Sequence, residues 1–114
     1  MGNTNSDLQV LDSLPALGLD PNTVVVTGFS AGAYMAHNLH IVHSDTFKGA
    51  AMVAGGSYNA NAYYPLAGIN LFFWKPYERD PEYLARKGTQ DARDNSDSGL
   101  IDNISNIKNA PVFV

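Results

Sequence analysis

Val24-Val25-Val26-Thr27-Gly28-Phe29-Ser30-Ala31-Gly32 is the stretch on which the reading of this chain turns. Val24–Thr27 is a β-branched run entered from the turn residues Asp20-Pro21-Asn22, and it does not alternate polar with apolar. Such a run predicts a central strand of a parallel sheet, covered on both faces. Beyond Gly28 the composition changes. Ala31–Val42 is rich in Ala, Met and Leu and predicts a helix, closed by Ser44-Asp45. Gly49–Ala54 is a second short apolar run bounded by glycines and is the next candidate strand. Strand, tight turn, helix and strand in this order make a βαβ unit.

Outward from this unit the signals weaken. On the N-terminal side, Leu8, Leu11 and Leu14 recur near helical spacing, which predicts a helix over 7–17 capped by Ser6 or Asp7 and ended by Gly18. Residues 1–6 read as a disordered polar tail. On the C-terminal side, residues 55–83 hold eight of the twelve aromatics and are broken by Pro65, Gly68 and Pro76, which predicts loop with a short strand at Ile69–Trp74. Residues 81–93 predict a helix interrupted by Gly88, Asp94–Gly99 a polar linker, and 99–107 a weak helix. Pro111–Val114 reads as the opening of a third strand. The expectation is a single incomplete α/β domain over residues 1–114, a short parallel sheet with flanking helices, cut short at its C-terminal end.

The totals narrow the function classes. The chain has 114 residues, 45% hydrophobic and 16% charged, which is a globular composition. Its net charge of −4 and the absence of any Lys/Arg cluster make nucleic acid and anionic membrane poor partners. With no cysteine, disulfides, thiolate catalysis and Cys-rich zinc sites are excluded. No stretch of about 18 apolar residues is present to span a membrane, and residues 1–6 lack the regions of a signal peptide. Gly2 with Ser6 fits only the bare myristoylation pattern, and Asn103-Ile104-Ser105 only the bare glycosylation pattern.

The chemistry lies in Gly28-Phe29-Ser30-Ala31-Gly32. A serine hydroxyl is a weak nucleophile that needs exposure, a base, and donors for the oxyanion it creates. Glycines on either side of a serine, after a strand and before a helix, predict a sharp, strained turn that lifts the side chain above the sheet edge. The small residues let strand and helix pack closely there. Ser30 is then the nucleophile and the Ala31 N–H the first oxyanion donor, at a helix N-terminus whose dipole favours negative charge. By itself the pentapeptide also fits an ordinary small-residue turn; the flanking strand and helix carry the reading. No cofactor and no metal are expected.

Other polar residues compete for a role. His37, His40 and His43 recur every three residues on the helix after Ser30. His37 lies seven residues along a helix leading away, about 10 Å, too far to take the serine's proton. A shared metal would need a carboxylate that the helix lacks, so packing or solvation is the simpler role. Asp45, at the far end of that helix, reads as a loop cap rather than a catalytic acid. Asp91, Asp94 and Asp97 read as a solvated face and linker. The aromatics of 55–83 either line a crevice for an apolar ester or anchor core and loop.

The segments Leu14-Pro15-Ala16, Asp20–Val24, Gly28–Ala36, His43-Ser44-Asp45-Thr46-Phe47 and Ala54-Gly55-Gly56-Ser57-Tyr58 together resemble the extracellular poly(3-hydroxybutyrate) depolymerase family. The likeness is close over 13–58, fades across the aromatics and returns at Ile107–Val114. It implies an α/β-hydrolase fold and cleavage of polyester bonds by a Ser-Asp-His triad through an acyl-enzyme on Ser30. The partner it implies is an ester or polyester, with the residues that bind it unassigned. The chain departs from the family in two ways. Val114 precedes the positions where the family carries its Asp and His, and Asn59 stands where members often have a disulfide-bonded Cys. The alternatives are a feruloyl- or acetylxylan-type esterase, which shares the elbow, and a catalytically inactive fragment. The family is typically extracellular, but the absence of a signal peptide and of cysteine leaves localisation unassigned. An unpaired edge at the third strand predicts self-association.

Overall fold

A computed structural model describes residues 13, 15–60 and 81–114. Chain entry to the sheet is set by Asp20, whose carboxylate accepts the Asn22 N–H at 2.9 Å and folds Pro21–Thr23 into a single 3-10 turn. There follow strand β1 (Val25–Phe29), helix α1 (Ala31–Val42), strand β2 (Gly49–Val53), helix α2 (Pro81–Asp97), a second 3-10 turn (Ile104–Ile107) and strand β3 (Val112–Phe113). The strands form one parallel sheet in the order β1-β2-β3. This is the α/β arrangement expected of a partial α/β-hydrolase domain, and α1 takes the bounds read from the sequence.

Register decides which side chains meet. Val25 pairs with Gly49 and Phe29 with Val53, so Val26, Ala50 and Met52 share one face. On that face they form a core with Ala33 and Ala36 of α1, which are 0% and 1% exposed. Small residues at 33 and 36 bring the helix backbone down onto the strands.

The opposite face corrects the sequence reading. β1 was expected to be central and covered on both sides; among the described residues it has one strand neighbour, β2, which lies between β1 and β3. Val25, Phe29, Val53 and Phe113 on the other face remain 58%, 71%, 49% and 66% exposed. A β-branched run encodes the capacity to be covered on both faces, and among the described residues α1 covers only one.

A second core lies beside the sheet. Ile41 of α1, Tyr58 after β2 and Ala92 of α2 cluster with Val42, Ile101, Ile104 and Ile107. Helix α2 runs unbroken through Gly88, where an added Cβ would lie 2.7 Å from the Tyr58 carbonyl. That glycine marks a close approach rather than an interruption. Asp94–Asp97, expected as linker, forms the last turn of α2, and Gln90 donates to Asp94 at 2.8 Å one turn earlier. The helix ends at Gly99 with φ 74, the Gly99 and Leu100 amides bonding back to the Ser96 and Asn95 carbonyls. This is a Schellman cap, which favours glycine at the left-handed position. The helix expected over 99–107 is only the 3-10 turn Ile104–Ile107.

The expected helix over 7–17 falls mostly outside the described residues, and the expected strand at 69–74 and six of the eight aromatics fall wholly outside them. Among the described residues no helix is long and apolar enough to cross a membrane.

Candidate active site

Ser30 stands between the last residue of β1 and the first of α1, with φ 52 and ψ −118. A non-glycine residue there is strained and persists only when its surroundings over-determine it. They do so here. Ser30 N–H donates to the Val53 carbonyl at 2.9 Å, pinning the turn to the end of β2. Its carbonyl accepts the Ala33 and Tyr34 amides at 2.9 and 3.2 Å, pinning it to the first turn of α1. The side chain makes no capping hydrogen bond to the helix and is half-buried.

Gly28 and Gly32 are unequal. A Cβ on Gly28 would fall on the Gly32 carbonyl and lie 2.7 Å from Ala33 N, so this position admits no side chain. A Cβ on Gly32 would meet nothing within 4 Å. The sequence reading gave both glycines a packing role; only Gly28 has one among the described residues, because it is the Gly32 backbone, not a side chain, that presses on β1.

The amides of Ala31 and Gly32 precede the first intrahelical bonds, so they are the free donors of the helix start. Ala31 is exposed. An anion forming above Ser30 would meet these N–H groups and the positive end of the α1 dipole.

The Ala54-Gly55-Gly56 exit of β2 shapes the site; the sequence reading quoted this segment for its family resemblance but gave it no role beside Ser30. A Cβ on Gly55 would lie 2.8 Å from that of Ala33, and one on Gly56 would overlap the Tyr34 ring, 2.7 Å from its hydroxyl. Paired glycines let this exit run flush against the first turns of α1 and keep the Val53 carbonyl aimed at Ser30. A glycine pair directly after a strand was the available signal.

No histidine is brought to Ser30. His37 turns toward the β2 exit, its Nδ1 2.7 Å from the Gly56 carbonyl. His40 continues the buried stripe of Ala33 and Ala36, is 3% exposed, and its Nε2 has no partner. Burial, reinforced by the charge of His37, pushes the His40 pKa down. His43 caps the far end of α1, its amide donating to the Leu39 carbonyl. Asp45 lies beyond that end; its amide donates to the Asp102 carboxylate at 2.9 Å and its own carboxylate is 3.7 Å from Lys48 Nζ. Asp91, read as part of a solvated face, accepts a hydrogen bond from Asn59 at 2.8 Å. No cluster of three or more metal-ligating side chains occurs among the described residues.

Comparison with known proteins points to polyester hydrolases. The chain is 46% identical over 55 residues to a polyhydroxybutyrate depolymerase of Talaromyces funiculosus. It is 49% identical over 47 residues to a poly(3-hydroxybutyrate) depolymerase of Delftia acidovorans, and 43% identical over 58 residues to poly(3-hydroxyalkanoate) depolymerase C of Paucimonas lemoignei. These stretches cover 46%, 40% and 50% of this chain but only 16%, 10% and 14% of the respective relatives. Over such partial stretches the chain resembles the polyhydroxybutyrate depolymerases. No family model matches the chain, and no solved structure matches it.

Proposed function

We propose that this chain carries the nucleophile elbow of a serine carboxylesterase acting on poly(3-hydroxybutyrate) or a related polyhydroxyalkanoate. Ser30 Oγ attacks the ester carbonyl, and its proton passes through a base to the departing alcohol. The acyl group stays on Ser30 until water releases it as the acid. The amide of Ala31 donates to the oxyanion of each tetrahedral intermediate. The observation that carries this reading is the strained Ser30 backbone, φ 52 and ψ −118, held between the Val53 carbonyl and the first turn of α1. The sequence similarity to named depolymerases supports the substrate class.

The base is not among the three histidines of this chain, which all lie on or just past α1 and lead away from Ser30. The imidazole of this proposal therefore comes from residues outside this stretch. In an enzyme that contains them, Ser30→Ala lowers kcat for p-nitrophenyl butyrate on the order of 10⁴-fold or more without changing the fold. Retention of most of the activity would move the nucleophile elsewhere.

A further inference from the structure

Two residues with strained backbones meet where β1 and β2 end. Ser30 holds φ 52, and Ala54, the first residue after β2, holds φ 56. A residue other than glycine stays in this region only when its surroundings over-determine it. The two are linked, because the Ser30 N–H donates to the carbonyl of Val53 at 2.9 Å. That carbonyl belongs to the peptide plane that the φ of Ala54 swings, so whatever fixes Ala54 also aims the acceptor of Ser30.

The Ala54 turn folds the exit of β2 back along α1. Gly55 comes against Ala33 and Gly56 against the Tyr34 ring. One turn further along α1, His37 Nδ1 lies 2.7 Å from the Gly56 carbonyl in a half-buried contact. Among the described residues this is the only hydrogen bond between residues 54–56 and α1; the next tie is the Asn59 amide to the Asn38 side chain at 3.1 Å. A carbonyl only accepts, so Nδ1 carries the proton. We propose that His37 is a positioning residue for Ser30. Its Nδ1–H holds the Gly56 carbonyl, the short exit passes that restraint to Ala54 and Val53, and the Val53 carbonyl holds the Ser30 amide. The catalytic consequence rests on Ser30 being the nucleophile; the effect on the Ser30 backbone does not.

The test is amide hydrogen exchange, read by NMR on the full chain, for the unmodified protein, His37→Leu and His37→Asn. Both substitutes match the imidazole out to the Nδ1 position, and only asparagine has a donor there. His37→Leu should speed exchange at Ser30 about tenfold. Ala50 and His43, whose amides bond to the Pro111 and Leu39 carbonyls away from the exit, should keep their rates. His37→Asn should restore Ser30. In an active hydrolase containing this stretch, His37→Leu should lower kcat for p-nitrophenyl butyrate about tenfold at unchanged KM, and His37→Asn should recover it. At about pH 8, where imidazole is neutral, ring nitrogen spectra of the unmodified protein should place the proton on Nδ1. A proton on Nε2 would overturn the proposal without any variant. So would a Ser30 exchange rate that is unchanged in His37→Leu, that rises no more than those of Ala50 and His43, or that asparagine does not restore. Faster Ser30 exchange with unchanged kcat would overturn the positioning role and leave Ser30 as the nucleophile. Failure of the nucleophile reading itself shows separately, as activity retained in Ser30→Ala.

Discussion

At residue 30 the backbone pays a conformational penalty of order 1–3 kcal/mol, and the surrounding hydrogen bonds hold it in place. This much was legible in the sequence: a β-branched run, a glycine, and a serine opening a helix leave few other geometries. The unequal roles of the glycines were not legible, since a five-residue pattern does not say whose backbone approaches whose. The difference is measurable. Gly28→Ala should destabilise the protein by at least about 3 kcal/mol in thermal or urea unfolding, because the new methyl would coincide with the Gly32 carbonyl. Gly32→Ala, with open space and helical backbone, should raise stability by about 0.5–1 kcal/mol. Equal effects at the two positions would contradict this account of the elbow.

Among the elements, the βαβ unit was readable because its periodicity is local, whereas α2 was misread at both doubtful points. Gly88 and the Asp94–Asp97 run are poor helix formers taken alone; the Tyr58 carbonyl against Gly88 and the Schellman cap at Gly99 supply what propensity lacks. Asn59 joins these pieces. Its amide donates to the Asn38 side chain of α1 at 3.1 Å, and its own side chain donates to Asp91 of α2 at 2.8 Å. Asn59 also holds φ 58, which Asn tolerates better than most residues. Asn59 thus brackets α1 to α2 by polar contacts alone. Asn59→Gly keeps the backbone geometry but removes the bond to Asp91, and should cost about 1–2 kcal/mol. His40 gives α1 a pH dependence. Its folded pKa is depressed below the ordinary 6.5, so the neutral ring is the stabilising form. Its contribution is present above that value and is lost as pH falls below it. Melting temperature should drop between about pH 7 and 5, and His40→Leu should flatten that drop. An unchanged drop in the variant would place the acid sensitivity elsewhere.

For the whole molecule, the sheet was foreseeable but its cover was not, because sequence runs encode a strand's capacity for burial and not the partner that provides it. Among the described residues the face without a helix over it carries Val25, Phe29, Val53 and Phe113, and β3 contributes Val112–Phe113 to the ladder. Open apolar faces and unpaired edges favour association. The isolated 114-residue chain should therefore self-associate with rising concentration in sedimentation, and Phe113→Lys should reduce this. It should also fail to turn over p-nitrophenyl butyrate above a Ser30→Ala blank, since no imidazole reaches the elbow. Turnover near 1 s⁻¹, at the low end of ordinary enzymes, would make one of His37, His40 or His43 the base. The identity of the nucleophile is tested most directly by covalent trapping. An active polyester hydrolase containing this stretch is treated with a diethyl phosphoryl inhibitor, digested and located by fragment mass spectrometry. The account predicts a single phosphoryl adduct on Ser30 in proportion to lost activity. An adduct on another serine, with Ser30 unmodified in fully inhibited enzyme, would contradict it.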